Sequence, residues 1–332
     1  LKFSLMKVIN FSLLFSVFLL LSCNEDGSNS SEKYLPPSSG THAEMLIVAH
    51  DSLWHTATGE AILNVFAQEQ YGLPQPEGIF SVNHVAPSGF QGLLKKAKSL
   101  VFFEIGDTTL IQTQIDVWAR PQVVTTIIAP NSKTLMRLLK ANEAKLVETY
   151  HRADLGVVRG RMKSNIYKTL PDGLSDLNIN DMYLQLGFEQ TLDKPDLKIF
   201  KQSTKKTEQF LIFSTRPIIE ENLPGQDIIA ARDSIGKYYF AGTSDNSYFA
   251  TETLIPPQQT TTEVDGKFAI ETRGMWKTVG DFMGGPFISY TIYNDERNEI
   301  LTIEGFLYGP DARKRNIILE MEGMITSVKF KN

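Results

Sequence analysis

From residue 45 onward, short β-branched or aromatic runs alternate with stretches of helical spacing, which predicts a mixed α and β fold. Residues 45–49 read as a buried strand. Residues 56–70 carry Ala57, Ala61 and Val65 on one face with Ile62 and Phe66 beside them, so they are expected to form a helix packed on that strand. Further strands are expected at 79–84, 100–105 and 123–129, with a short helix over 91–98. After Pro130 a long helical region opens, with Asn131 or Ser132 as N-cap and Leu135, Leu138, Leu139, Leu146, Val147 and Tyr150 as core positions. Gly156 and Gly160 are expected to interrupt it.

The second half predicts strands at 197–202 and 210–214, a helix over 227–238, and strands at 268–272, 287–293 and 300–308, the last two flanking a charged hairpin loop at 294–298. A helix over 311–326 and a short strand at 328–330 close the chain. The expected fold class is therefore α+β: two mixed α/β halves, 41–190 and 191–332, with largely antiparallel sheets. The halves share a weak order of features. Trp118 with Pro121, and Trp276 with Pro286, are each followed by a strand, a proline (Pro130, Pro310) and a helix. This order fits a diverged duplication, and equally the coincidences that any α/β chain of this length offers.

With 332 residues, 42% hydrophobic and 21% charged, the chain can bury a sizeable core and is neither disordered nor multi-spanning. The first 22 residues add a leader: Lys2 and Lys7 form a positive n-region, and residues 11–21 are apolar except for Ser12 and Ser16. A spanning helix needs about 20 apolar residues, so this shorter run reads as a signal peptide. It ends in Leu20, Leu21, Ser22, Cys23, which matches the bacterial lipobox, and Cys23 is the only cysteine in the chain. Its thiol would take the diacylglycerol thioether, and the small Ser22 gives a peptidase access to the bond before it. At about 0.8 kcal/mol per buried CH₂, two or three acyl chains hold a protein stably on a membrane. The mature chain is thus expected to be an outer-membrane lipoprotein of the cell envelope, with residues 23–40 as an acylated tether. Glu25 and Asp26 resemble the export signal of surface-displayed Bacteroidota lipoproteins; two acids also suit any solvated linker. Loss of Lys2 and Lys7 with the leader takes the net charge from −5 to −7, which argues against a nucleic-acid partner.

Candidate chemistry falls into two groups. His50, Asp51, His55 and Glu60 crowd the first strand–helix junction with His84 as a further donor, but no metal-ligand spacing of known geometry surrounds them, so no cofactor is expected. The second half offers Asp233, Glu252 and Asp281 as acid and base candidates and Arg232, Arg273 and Trp276 as ligand-binding candidates. The two arginines could equally neutralise the carboxylates as structural ion pairs. No nucleophile elbow, phosphate loop or dinucleotide fingerprint is present.

The segments 35–40, Trp54 with Gly59, 72–75, 118–122, Arg232 with Asp233, 247–252, 273–276, 284–287 and 306–315 resemble a family of uncharacterised Bacteroidota lipoproteins, catalogued as a domain of unknown function. The resemblance implies a lipoprotein and no assigned activity. Two functional readings follow. The first is a lipid-tethered, non-enzymatic protein that binds an envelope protein or a glycan, or serves in envelope assembly. The second is an envelope hydrolase using the second-half carboxylates.

Overall fold

A computed structural model describes residues 34–219 and 224–331. The leader, Cys23 and most of the tether lie outside the described residues. The chain begins with β1 (Glu44–Ala49), α1 (Asp51–Trp54), α2 (Ala57–Phe66), β2 (Ser81–Val85), β3 (Ser99–Ile105), β4 (Leu110–Ile115) and β5 (Val123–Ala129). These strands form one sheet in the order β2-β1-β3-β5-β4. The first four pair in parallel, and β4 closes one edge antiparallel to β5. Alternation along β1 sets its two faces. Met45, Ile47 and Ala49 meet the helices, whereas Leu46 and Val48 pack with Leu100, Val124, Phe90 and Trp118 under loops.

Two helices follow, α3 (Ser132–Ala141), capped by Asn131, and α4 (Glu143–Met162). The predicted single helical region is divided at Asn142, whose side-chain amide donates to the Leu138 carbonyl at 2.8 Å. Gly156 and Gly160 do not interrupt α4, contrary to expectation. A helix-interior glycine costs roughly 1 kcal/mol, and burial of Leu155, Val158 and Met162 on the opposite face outweighs that. The first turns of α4 place Leu146 and Tyr150 in the core of the first sheet, and its last turns belong to the core of the second. One helix therefore serves both cores.

The remainder comprises α5 (Asp172–Asp176), β6 (Ile179–Asp181), β7 (Glu189–Lys194), β8 (Leu197–Ser203), β9 (Glu208–Pro217), α6 (Ile228–Tyr239), β10 (Tyr248–Thr251), β11 (Gln258–Val264), β12 (Lys267–Val279), β13 (Gly284–Asn294), β14 (Glu299–Tyr308), α7 (Arg315–Ile325) and β15 (Lys329–Phe330). Eight of these strands make an antiparallel sheet, β10-β12-β13-β14-β9-β8-β7, with β11 also on β12, while β15 pairs with β6. One face of the large sheet buries Ile288, Tyr290, Ile292 and Ile303 against α7 and the end of α4. The other face packs Trp276, Phe287 and Phe306 against α6.

The fold is α+β, and antiparallel pairing predominates. The two sheets differ in kind: the first is built on parallel crossovers, the second on antiparallel hairpins. Their strand orders do not repeat, so the shared order of Trp, Pro and helix is no duplication among the described residues.

Candidate functional site

Between the sheets lies a cleft of about 1020 Å³. Its walls are α4 (Val147, His151, Leu155, Arg159), α7 (Leu319, Glu322) with its C-cap Thr326, the strand β11, and Gln70 and Tyr71 from the loop after α2. That loop is held against the second half. Gln75 donates to the Pro310 carbonyl at 3.2 Å and accepts from Lys314 Nζ at 2.6 Å, and Glu77 accepts from the Lys314 backbone N–H at 2.6 Å. Gly72 comes so close that a Cβ there would lie 3.0 Å from the Gly274 nitrogen, and its φ of +81° is one that glycine adopts without strain.

The floor of the cleft is a charged network. Glu322 sits on the apolar face of α7 among Ile318, Leu319 and Ile325 and is 2% exposed. Its carboxylate meets His151 Nε2 at 2.7 Å and Arg273 Nη2 at 2.7 Å. Arg273 also pairs with Glu271, and the Tyr290 hydroxyl donates to Glu271 at 2.7 Å and lies 3.2 Å from the Glu322 carboxylate. Glu271 and Tyr290 are register partners on β12 and β13, which points both side chains to the same face. Burial pushes the Glu322 carboxyl up, but Arg273 and His151 override it and hold the group at about 2. Burial pulls the His151 imidazole down, and the Glu322 carboxylate more than reverses this, so its pKa is raised. Burial, with both carboxylates nearby, holds the Tyr290 phenol well above its usual range, so it remains a donor.

Arg159 reinforces the same wall: it donates to the Gly323 and Thr326 carbonyls, where the exposed carbonyl ends of α7 attract a cation. On the rim, β11 presents exposed Thr260 and Thr261 and half-buried Thr262, joined to β12 through Asp265 and Gly266, both at positive φ.

Of the candidate catalytic, ligand-binding and metal residues read from the sequence, the cleft gathers Arg273 alone. Arg232 belongs to α6, on the other face of the sheet, and its side chain reaches down to pair with Glu304 at 3.0 Å and cover the Phe287 ring at 4.0 Å. A cavity of about 30 Å³, room for a water molecule or two, adjoins it. Trp276 is a core residue: 1% exposed, stacked on Phe249 at 4.3 Å, with its indole N–H on the Leu307 carbonyl at 3.2 Å. The three candidate carboxylates are each taken up locally. Asp233 accepts from the Thr251 N–H at 2.7 Å, Glu252 from the Leu254 N–H at 2.8 Å and Lys277 at 3.3 Å, and Asp281 from the Thr243 N–H at 2.8 Å. None of the three lines the cleft.

His50 caps α1 by accepting from the Ser52 N–H, and His55 is exposed with its ring 6.4 Å from that of His84. His84 stacks on Trp54 at 4.3 Å and donates to the Ala49 carbonyl at 2.8 Å. Among the described residues no group of three or more His, Cys, Asp or Glu could hold a metal ion.

Two domains of unknown function match this chain. One family profile, Domain of unknown function (DUF8532), matches residues 38–163, and another, Domain of unknown function (DUF4837), matches residues 185–327. The matches are consistent with an uncharacterised family, and the first ends where α4 does. The cleft is lined from both matched regions, His151 and Arg159 from one, Arg273 and Glu322 from the other. No curated protein matches the chain.

Sequence reasoning missed His151, Glu271, Tyr290 and Glu322. The available signal was Glu322, a carboxylate at core spacing on an otherwise apolar helix face, which demands a buried cation.

Proposed function

We propose that this chain is a lipid-anchored protein of the bacterial cell envelope, acylated on Cys23, which binds a glycan or a protein partner in the cleft and performs no chemistry on it. The observation that carries the reading is the character of the cleft: ligand-sized, with a hydrogen-bonding rim and a charged floor already neutralised within itself. Thr260, Thr261, Gln258, Gln70 and Tyr71 supply both donors and acceptors on that rim, which suits the hydroxyl and amide groups of a glycan or an exposed peptide. General acid–base work needs a group poised near the working pH. Glu322 is held far below that, Arg273 is bonded to both carboxylates of the floor, and the one imidazole of the cleft, His151, has its Nε2 engaged by Glu322 at 2.7 Å. The alternative, an envelope hydrolase acting through Asp233, Glu252 and Asp281, draws no support from three carboxylates that each satisfy a neighbouring loop or strand.

Equilibrium titration of the purified protein with soluble cell-wall glycan fragments tests the reading. Saturable binding that Thr261→Arg removes, with the fragments recovered intact, is the expected result. Cleavage of the fragments would favour the hydrolase, and absence of binding would move the ligand to the protein class.

A further inference from the structure

Residues 36–39 run into the fold beside a small turn. The Pro36 carbonyl accepts from the Arg120 N–H at 2.9 Å, the Ser38 N–H donates to the Arg120 carbonyl at 3.1 Å, and the Ser39 N–H donates to the Lys96 carbonyl at 2.8 Å. Lys96 ends the 3₁₀ turn Gly92–Lys96, which projects Leu93, 77% exposed, and Leu94, 37% exposed, with Lys95 exposed next to them. The turn is held in place from below. Gln122, 1% exposed, donates to the carbonyls of Lys95 and Ala97, both at 2.7 Å, and accepts from the Trp118 N–H at 2.8 Å. The buried amide thus fixes the loop while Leu93 and Leu94 face solvent. At the same end of the sheet, Ile115, opposite Val123, is 64% exposed.

We propose that this turn is a membrane-contact site: Leu93 and Leu94 enter the interfacial region of a bilayer, and Lys95 and Lys96 sit at its phosphate headgroups. The inference rests on the reading that Cys23 is acylated. Cys23 precedes Tyr34 by eleven residues, so no conformation of the intervening chain lets Tyr34 stand further than about 40 Å from the anchored cysteine. The turn is therefore kept close to the bilayer, and at such an effective concentration a contact too weak to recruit a free protein is enough to orient a tethered one. The committed occupant is a lipid surface carrying anionic headgroups, on grounds of paired leucines beside paired lysines and of where the tether enters.

The test uses the full, lipidated chain reconstituted into vesicles of phosphatidylethanolamine and phosphatidylglycerol. Acylation consumes the thiol of Cys23, so Leu93→Cys, or Phe282→Cys at the fully exposed position of the β12–β13 turn of the second sheet, supplies a single site for a polarity-sensitive fluorophore. The expected result is a blue-shifted emission and several-fold stronger quenching by spin-labelled lipid at 93 than at 282, reduced by Lys95→Glu with Lys96→Glu. Equal, water-like emission at both positions in protein that floats with the vesicles would overturn the proposal while leaving the anchor intact. Protein that fails to float, with Cys23 itself taking the dye, would refute the anchor, and the proposal with it.

Discussion

His151 on α4 and Glu322 on α7 meet at 2.7 Å, which ties the helix shared by both cores to the helix that closes the second sheet. The pair makes stability depend on pH with a definite sign. His151 has a raised pKa in the fold, so its contribution is fully present below about 6.5, its unfolded value, and is lost as pH rises through the folded one. Glu322 is held at about 2, so its contribution is present above its unfolded value of 4.5 and is lost as pH falls toward 2. Melting temperature should therefore peak between about 4.5 and 6.5, and His151→Gln should flatten the fall on the alkaline side. An alkaline limb unchanged in the variant would contradict this assignment.

Removing the carboxylate is costlier than removing the imidazole. Glu322→Ala leaves Arg273 and His151 facing an apolar helix, and the loss expected for breaking a buried pair is about 3 to 5 kcal/mol in denaturant unfolding. A value within error of wild type would mean that the network contributes nothing to the fold.

Lys98 and Asp154 form a second buried pair, 4% and 2% exposed, and Asp154 also accepts from the Ala43 N–H at 3.0 Å. Asp154→Leu alone should destabilise by about 3 to 5 kcal/mol, and adding Lys98→Met should recover most of that by removing the stranded charge. The coupling would be read from a double-mutant cycle.

Gly156 and Gly160 lie in the interior of α4 on its exposed side, and a Cβ at either would meet nothing within 4 Å. Alanine at each should stabilise by roughly 0.5 to 1 kcal/mol through reduced freedom of the unfolded chain. Gly72→Ala should do the reverse, because φ is +81° and the Gly274 backbone blocks the space. Opposite signs at these positions, measured by thermal unfolding, are the expected outcome.

How far the sequence foretold this architecture depended on burial. Strands that carry core residues on one or both faces, such as β1, β3, β5, β9, β13 and β14, show their apolar pattern directly. The strands that escaped are the short β6 and the edges β4, β7, β10 and β11: β4 reads Leu-Ile-Gln-Thr-Gln-Ile and β11 reads Gln-Gln-Thr-Thr-Thr-Glu-Val, with too little buried surface to set a period. For β11 the turn chemistry was the remaining sign, since Asp265-Gly266 between two runs marks a tight hairpin. The site was less legible than the fold. Arg273 was visible as a charge near Trp276, but its partners come from β12, β13, α4 and α7, and only tertiary packing brings Glu271, Tyr290, His151 and Glu322 together. Asp233, Glu252 and Asp281 looked like a set because they share a stretch of chain; strand alternation and loop caps send them to separate local tasks.

Membrane residence of this protein depends on the proposed anchor at Cys23, and the intact mass of the protein extracted from membranes tests that anchor most directly. A mature chain beginning at Cys23 and carrying the added mass of a diacylglyceryl group, with or without a further acyl chain, is the predicted result. A chain cleaved elsewhere, or one whose Cys23 remains a free thiol, would contradict it.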